Sequence, residues 1–413
     1  MKPLTAGNVG NYTNDQLKAR LLGPSAAIGP RFEVYDLGGQ KLSPDPTSII
    51  SAKYSFDATR LVPSSLQIEM AGDDPALPLA TTYPFRVQIQ AYFRIRMADG
   101  GTAEWPVGRF LHVLPERKIQ SIDRSGVQSP VSTYSVTLPS ATIYRMVIGG
   151  PGLTGFSLPP SFPITGGIAQ ALQRAMPYPP SLAGIVTSTQ NTAGSMVWQL
   201  LSQANPTDNS ANAAGAPATS WMQIEQVLHA GLGYMAPWED WTGVYQAQPM
   251  PANLFAATPQ ITFTLDSNSI TETPIGLSPR LDLLANRVFA AANNPNPNAQ
   301  RGAVVVDAND YLPSHPFAQK NCHQYVDATL TNPVSADLQG VQASAVAELY
   351  KRMCVASDLS FTTQAWPGIE PWDVIQLTAP GDWTTSRLVT AQAWDWDLFT
   401  GQMNHKPASI SGS

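Results

Sequence analysis

The chain has 413 residues and a mass of 44.3 kDa, more than one hydrophobic core usually supports, so two or three domains are expected. Hydrophobic residues make up 43% of it, charged residues only 13%, and the formal net charge is −6. The acidic balance argues against tight nucleic-acid binding, and the low share of charged residues favours extensive burial between subunits.

Features linked to secretion are missing from the sequence. Residues 1–16 are polar, and no stretch of about 18 apolar residues occurs, so neither a signal peptide nor a membrane-spanning segment is predicted. Cys322 and Cys354 lack the dense spacing of a secreted disulfide scaffold. We interpret both as reduced thiols of a protein made in the cytosol.

The first part of the chain predicts an arm followed by a β domain. Residues 1–30 are rich in Gly, Asn and Pro and form the predicted N-terminal arm, with a short helix over Asp15–Leu22. Apolar and polar residues alternate over residues 31–148, which indicates a first antiparallel β-barrel-like domain. Its predicted strands are Arg31–Leu37, Ser48–Phe56 with Ile50, Ala52, Tyr54 and Phe56 on one face, Phe85–Met97, Val107–Val113 and Thr133–Leu138.

The middle segment, residues 149–284, is predicted as a mixed α+β domain. Ile168, Leu172 and Met176 have helical spacing before Pro177, and Ser220 is a candidate N-cap for a second helix. Between these helices, residues 206–219 show no periodicity and are predicted as a loop.

A second barrel-like β domain with one helix is predicted over residues 285–406, followed by a frayed tail over residues 407–413. The apolar stripe of the helix contains Leu338, Val341, Ala345, Leu349 and Met353. The predicted strands are Arg287–Ala290, Ala303–Asp307, Gln324–Leu330, Leu359–Thr363, Val374–Thr378 and Leu388–Leu398. The fold class is therefore mainly β, with two antiparallel β-barrel-like domains flanking a mixed α/β segment.

Two patterns suggest a metal site, and neither is complete. His315, Cys322 and His323 lie close in sequence, but zinc would need a fourth ligand from Cys354 or His405. The run Asp307–Asp310 begins like a calcium loop, yet Leu312 stands where that loop needs Gly. We therefore predict no metal or other cofactor, and a simple loop after the strand at Asp307.

Carboxylates beside tryptophans give the most serious enzymatic hypothesis. Glu239–Asp240 and the pair Asp395 and Asp397 have the composition that glycoside hydrolases use for acid–base work and sugar stacking. The alternative is that the first pair lies in a turn and the second on a solvated strand face. No nucleophile elbow and no phosphate-binding loop with its Lys occurs, so we predict no catalytic residue.

Five tryptophans are candidate interface residues. Trp394 and Trp396 share one strand face, for which a buried core is the first interpretation, an interface the second and a sugar platform the third. The full candidate set is Trp238, Trp241, Trp372, Trp394 and Trp396.

The order of these parts resembles the tail hub proteins of long-tailed bacteriophages, including the tail-tip proteins of siphophages. Four stretches carry the resemblance: Phe32–Gly39 with the strands that follow, Trp105–Val113 with its Gly108 and Phe110, Trp221–Gly243 with the acidic turn Glu239–Asp240, and Pro371–Leu377. In the last stretch, many hub proteins have Gly where this chain has Trp372.

The resemblance implies a structural, non-catalytic role in the virion, at the tail tip, after assembly in the host cytoplasm. Such hubs are trimers whose two barrel domains per subunit form a pseudo-sixfold ring that matches a hexameric tail tube. The implied partners are other copies of the chain, the distal tail or tail-tube ring, and a central tip or fibre protein. DNA would pass through the ring without specific binding, and an acidic lumen would let it slide.

Two other functions stay open. A glycan-binding or glycan-cleaving tail protein would act through the regions Trp238–Trp241 and Trp394–Trp396, and binding to host polysaccharide would identify it. A distal tail protein would form a ring of six copies instead of three.

Overall fold

The computed structural model describes residues 2–23, 27–42, 45–60, 62–72, 74, 77, 86–124, 127–141, 143–144, 238–241, 243, 245–246, 258–264, 270–279, 284–292, 303–332, 338–354, 357–378 and 387–409. Strands predominate in these ranges, which confirms the mainly β class. None of the sheets formed by the described strands closes into a barrel. Both predicted helices of the middle segment, and the loop at 206–219, lie outside the described residues.

The helices are a 3-10 turn at Leu4–Ala6, α1 (Asn14–Leu21), α2 (Ala308–Tyr311), α3 (Gln319–Cys322) and α4 (Leu338–Cys354). The first strands are β1 (Arg31–Asp36), β2 (Lys41–Leu42), β3 (Ile49–Asp57), β4 (Ser64–Ala71), β5 (Val87–Arg96), β6 (Thr102–Leu111), β7 (Glu116–Arg124) and β8 (Val127–Pro139). The remaining strands are β9 (Trp238–Glu239), β10 (Tyr245–Gln246), β11 (Ile261–Thr264), β12 (Ile270–Pro279), β13 (Arg287–Ala292), β14 (Ala303–Asp307), β15 (Asp327–Asn332), β16 (Ser357–Gln364), β17 (Val374–Thr378), β18 (Arg387–Asp397) and β19 (Gln402–Ser409). Within the described part of the chain, no helix is both long enough and apolar enough to cross a membrane.

The N-terminal segment is packed against the rest of the chain. Helix α1 begins with a capping box, in which Thr13 and Gln16 satisfy each other's backbone N–H groups, and it matches the predicted helix within one residue. Leu17 and Leu21 are buried in the main core. Asn8 forms a bridge to Glu104 of β6, so the predicted arm follows the edge of a sheet.

Two sheets form the main core. The four-stranded sheet has the order β2-β1-β5-β6, and the larger sheet runs β12-β16-β19-β18-β3-β4-β8-β7, with β17 also paired to β18 and β11 parallel to β17. Phe93 of β5 lies 4.8 Å from Trp396 of β18, measured between ring centroids, so apolar faces of the two sheets pack together.

Strands from the two predicted β domains pair in the same sheet. Strand β3 is antiparallel to β18, with Tyr54 opposite Trp396 and Phe56 opposite Trp394. The larger sheet therefore joins residues near the start of the chain to residues near its end. The domain division at residues 148 and 284 stays a prediction.

The face predicted for Ile50 is wrong. Its side chain is 54% exposed, whereas Ile49 is buried with Ala52, Tyr54 and Phe56. The pairing of β3 with β4 shifts register between Ile49 and Ser51, which is a bulge. One extra residue reverses the alternation on one side of the bulge, so Ile49 faces the core and Ile50 faces outward.

Residues 407–409 are not frayed as predicted, and residues 410–413 of the predicted tail lie outside the described residues. Residues up to Ser409 belong to β19, which lies between β16 and β18. Met403 and His405 are buried, while Asn404 and Lys406 between and after them are exposed. Because this strand contains many polar residues, its alternation of buried and exposed side chains was not recognised in the sequence.

Helix α4 and a three-stranded sheet form a smaller unit. Its sheet has the order β14-β13-β15, with β13 antiparallel to β14 and parallel to β15. The predicted helical stripe is confirmed at Val341, Ala345, Leu349 and Met353, which pack in a separate core. Val288 of β13 and Val306 of β14 belong to the same core and lie on the sheet face that packs against α4.

Candidate functional site

The acidic pair lies in a short hairpin: Asp240 is in the turn, as predicted, whereas Glu239 belongs to strand β9. Strands β9 and β10 pair Trp238 with Gln246, and the N–H of Gly243 donates to the carbonyl oxygen of Asp240 at 2.8 Å. Gly243 has a φ of 78°, and a Cβ there would lie 3.0 Å from Cβ of Arg109. Glycine is thus required both by the turn and by the close approach of β6.

Four of the five candidate tryptophans come together. Trp238, Trp241, Trp394 and Trp396 line one small pocket, although they lie in two distant parts of the sequence. The exposed fractions of Trp238, Trp394 and Trp396 are only 2%, 3% and 4%, so the core interpretation of Trp394 and Trp396 is confirmed. Trp241 is partly exposed, and the interface role of the five tryptophans stays a prediction.

Trp372 lies beside this group without lining the pocket. It has a φ of 66°, is 8% exposed and donates its N–H to the carbonyl oxygen of Ala391 at 2.7 Å. Glycine adopts this left-handed conformation without the steric cost that a tryptophan side chain has there. The next residue, Asp373, accepts a hydrogen bond from the N–H of Glu370, and burial raises the pKa of its carboxyl to about 6.

The pocket is small and aromatic, with an acidic side. Its volume is about 40 Å³, room for a few waters but not for a sugar ring. Tyr54 and Phe56 of β3 form one wall, and Phe56 stacks on Trp394 with ring centroids 4.4 Å apart. Trp366, which the sequence reasoning missed, also lines it.

The N-terminal segment supplies a positive charge to this pocket. The Lys2 ammonium forms an ion pair with Asp240, lies 4.0 Å from Oε1 of Glu370, and sits 5.4 Å from the ring centroid of Trp241. Asp240 also accepts a hydrogen bond from Gln246 at 3.0 Å. The sequence carried no signal for Lys2, because its partners lie more than two hundred positions away.

The second carboxylate pair has structural contacts. Asp395 accepts from Oγ of Ser55 at 2.7 Å and pairs with Lys406 at 3.2 Å. Asp397 accepts from the N–H groups of Phe399 and Thr400 and so holds the turn after β18. These contacts fit the strand-face interpretation better than acid–base chemistry.

The candidate metal ligands also have local partners. Nδ1 of His315 accepts from the N–H of Phe317 at 3.2 Å, and burial lowers the pKa of His315 to about 4. The thiol of Cys322 donates to the Phe317 carbonyl oxygen, and His323 ends α3 with a φ of 57°. Across the described ranges, no group of three or more His, Cys, Asp and Glu side chains could hold a metal ion.

The loop predicted after Asp307 is instead the start of α2. Asp307 is its N-cap and accepts from the N–H of Asn309 at 2.8 Å. A carboxylate at this position satisfies a backbone donor of the first turn, so Asp307 begins a helix here.

A charged network on the four-stranded sheet was also missed. The guanidinium of Arg31 binds Glu104 through two hydrogen bonds of 2.7 Å and 2.6 Å and contacts Glu33 at 2.6 Å. Burial alone raises the pKa of Glu33, but hydrogen bonds from Lys41, Tyr92, Tyr35 and Arg31 together hold it well below its usual range. Sequence alternation places these residues on one face without showing that they pair.

No protein-family model and no curated protein matches the sequence. Among solved structures, the chain is similar to the tail protein from Neisseria meningitidis, with 12% identity, a TM-score of 0.55, and coverage of 92% of this chain and 96% of that one. It is also similar to the 43 kDa tail protein of prophage MuSo2 from Shewanella oneidensis, with 8% identity, a TM-score of 0.51, and coverage of 92% and 98%. The chain therefore shares the fold of these two tail proteins, in agreement with the resemblance to phage tail proteins noted in the sequence.

Proposed function

We propose that the chain is a structural subunit of a phage tail-tip hub ring, with three copies surrounding the DNA channel. The observation that carries this proposal is the extent of the similarity, which covers 92% of this chain and 96% of the Neisseria tail protein. A whole-length match leaves little of the chain for an added enzyme domain. In this role the protein belongs to the virion and has no turnover.

The larger sheet offers a surface suited to contact between subunits. Strand β7 is paired only with β8 and forms one end of the sheet as described. Ile119 on this strand is 61% exposed, and Leu114 just before it is 65% exposed. Apolar residues on an open edge strand favour association with another chain.

The ring would connect a hexameric tail tube to a trimeric tip. Its partners would be the distal tail or tube ring on one side and a central tip or fibre protein on the other. With a net charge of −6, the protein repels DNA on average, which suits passage through a channel without specific binding.

Native mass spectrometry of the purified full chain tests this proposal. We expect an assembly of three times the 44.3 kDa chain mass. Replacing Ile119 by Glu should shift the population toward single chains, because a charge would be buried in the contact. The matched control is Ile50→Glu, at a side chain that is 54% exposed on β3, and it should leave the assembly intact.

Other masses would contradict the proposal in different ways. Six copies would favour a distal tail ring, and a stable single chain would exclude a ring formed by this protein alone. The glycan-active alternative has less support, because three of its tryptophans are buried and the pocket of about 40 Å³ does not admit a sugar. Saturable binding or cleavage of host polysaccharide would restore it.

A further inference from the structure

We propose that the tryptophan-lined pocket is a binding site for a primary alkylammonium group, and that the Lys2 side chain is its built-in ligand. This ammonium cage, as we call it, consists of Trp241, Asp240 and Glu370 around the charge and the buried aromatic wall behind them. It would fasten the N-terminal segment to the core through an exchangeable charged contact.

The chemistry of the lining fits a cation. An ammonium group has three donors and no acceptor, so it needs carboxylate or carbonyl oxygens around it. Asp240 is its ion-pair partner, and Oε1 of Glu370 lies 4.0 Å away. The Trp241 ring centroid, 5.4 Å from Nζ, adds the negative face of an aromatic ring.

The cage is assembled from several parts of the fold and is largely shielded. The Asp240 side chain is 5% exposed and that of Glu370 19%, so their field at the ammonium is weakly screened by water. The hairpin that carries Trp241 is held in place by Nε2 of Gln90, which donates to the Trp241 carbonyl oxygen at 3.3 Å. Side chains of β3 and β18 complete the wall.

The backbone around Lys2 is also shaped for this segment. The N–H of Lys2 donates to the carbonyl oxygen of Gly368 at 2.9 Å. Gly368 has a φ of 91°, and a Cβ there would lie 2.7 Å from the carbonyl oxygen of Lys2. Because only glycine permits this close approach, the backbone at Gly368 fits the N-terminal segment that packs against it.

Chemical rescue of the full-length Lys2→Ala variant tests the site. We expect n-butylammonium to bind this variant saturably, changing its tryptophan fluorescence and raising its melting temperature. The wild-type protein should show neither change over the same concentrations, because Lys2 occupies the cage. Neutral 1-butanol has a similar shape and should fail, since the carboxylates require a charge. The matched variant Lys53→Ala, at an exposed lysine of β3, should behave like the wild type.

An equal effect of 1-butanol would overturn the proposal, as would no saturable effect of n-butylammonium on the folded Lys2→Ala variant. If that variant does not fold, trace acetylation of the wild type gives a second measurement. Lys2 should react several-fold more slowly than Lys53, and Gly368→Ala should remove this protection by displacing the segment. Equal reactivity of Lys2 and Lys53 in the wild type would show that no cage holds the ammonium.

Discussion

His405 is a buried titratable group that links folding to pH. It lies in the middle of β19, stacks on Phe361 with ring centroids 4.6 Å apart, and shares a hydrogen bond of 2.8 Å with Oγ1 of Thr363. Burial lowers its pKa from 6.5 to about 3. The ring is therefore neutral in the folded chain at pH values where the unfolded chain is protonated.

The sign of the pH dependence follows from this lowered pKa. Above pH 6.5 the ring is neutral in both states, and below 6.5 only the unfolded chain takes up the proton until about pH 3. His405 should therefore cost about 1.4 kcal/mol of unfolding free energy per pH unit below 6.5. In denaturant unfolding, His405→Gln should have a lower unfolding free energy than the wild type at pH 7.5. Its unfolding free energy should then fall less than that of the wild type between pH 7.5 and pH 4.5. Parallel pH profiles for the two proteins would contradict this role.

Arg31 holds together the charged network of the four-stranded sheet. Its two hydrogen bonds to Glu104 have the planar geometry that a guanidinium provides and an ammonium does not. We expect Arg31→Ala to lower the unfolding free energy by about 1–2 kcal/mol after solvent screening, because three acidic side chains, Glu33, Asp45 and Glu104, lose a partner. Arg31→Lys should lose about half as much, and an Arg31→Ala protein as stable as the wild type in chemical denaturation would refute the assignment.

At the scale of elements, the pairing of β3 with β18 is the contact that joins distant parts of the chain. Ser55 stands opposite Asp395, and their side chains share a hydrogen bond of 2.7 Å. The double variant Ser55→Cys with Asp395→Cys should form a disulfide under mild oxidation, because directly opposite residues have Cβ atoms within bridging distance. The control pair, Ser55→Cys with Asp397→Cys, is diagonal and should cross-link much more slowly. Peptide mapping distinguishes both products, and equal rates would contradict the register.

Sequence reasoning identified most individual elements. The predicted bounds of β14 and β17 agree with the structure, α1 lies within one residue of its predicted position, and α4 was located from its apolar spacing. Local alternation and helical period carry this information directly. The bulge at Ile49 could not be predicted in this way, because it depends on how β3 pairs with β4.

The pocket was only partly predictable. The aromatic residues were noted because tryptophan is rare and conspicuous, but which of them meet depends on long-range packing. Lys2 and Trp366 were missed because an isolated charge near a terminus and a tryptophan in a turn carry no periodic signal. The parallel pairing of β13 with β15 is likewise a tertiary outcome, since both strands have ordinary patterns.

At the scale of the whole molecule, one sheet connects the beginning and the end of the chain. Through β18 and β3, residues 387–397 are tied to residues 49–57, and the N-terminal segment adds a second link through Lys2. This pairing connects distant parts of one subunit. Among the described strands β7 pairs only with β8, and in the proposed ring this edge would contact the neighbouring copy.

Electron cryo-microscopy of the purified full chain, with averaging of particle images, tests whether three copies form a ring around a channel. We expect particles with threefold symmetry, an open centre, and β7 of each copy at the contact with the next. A ring of six copies, or compact single chains without a central opening, would contradict it.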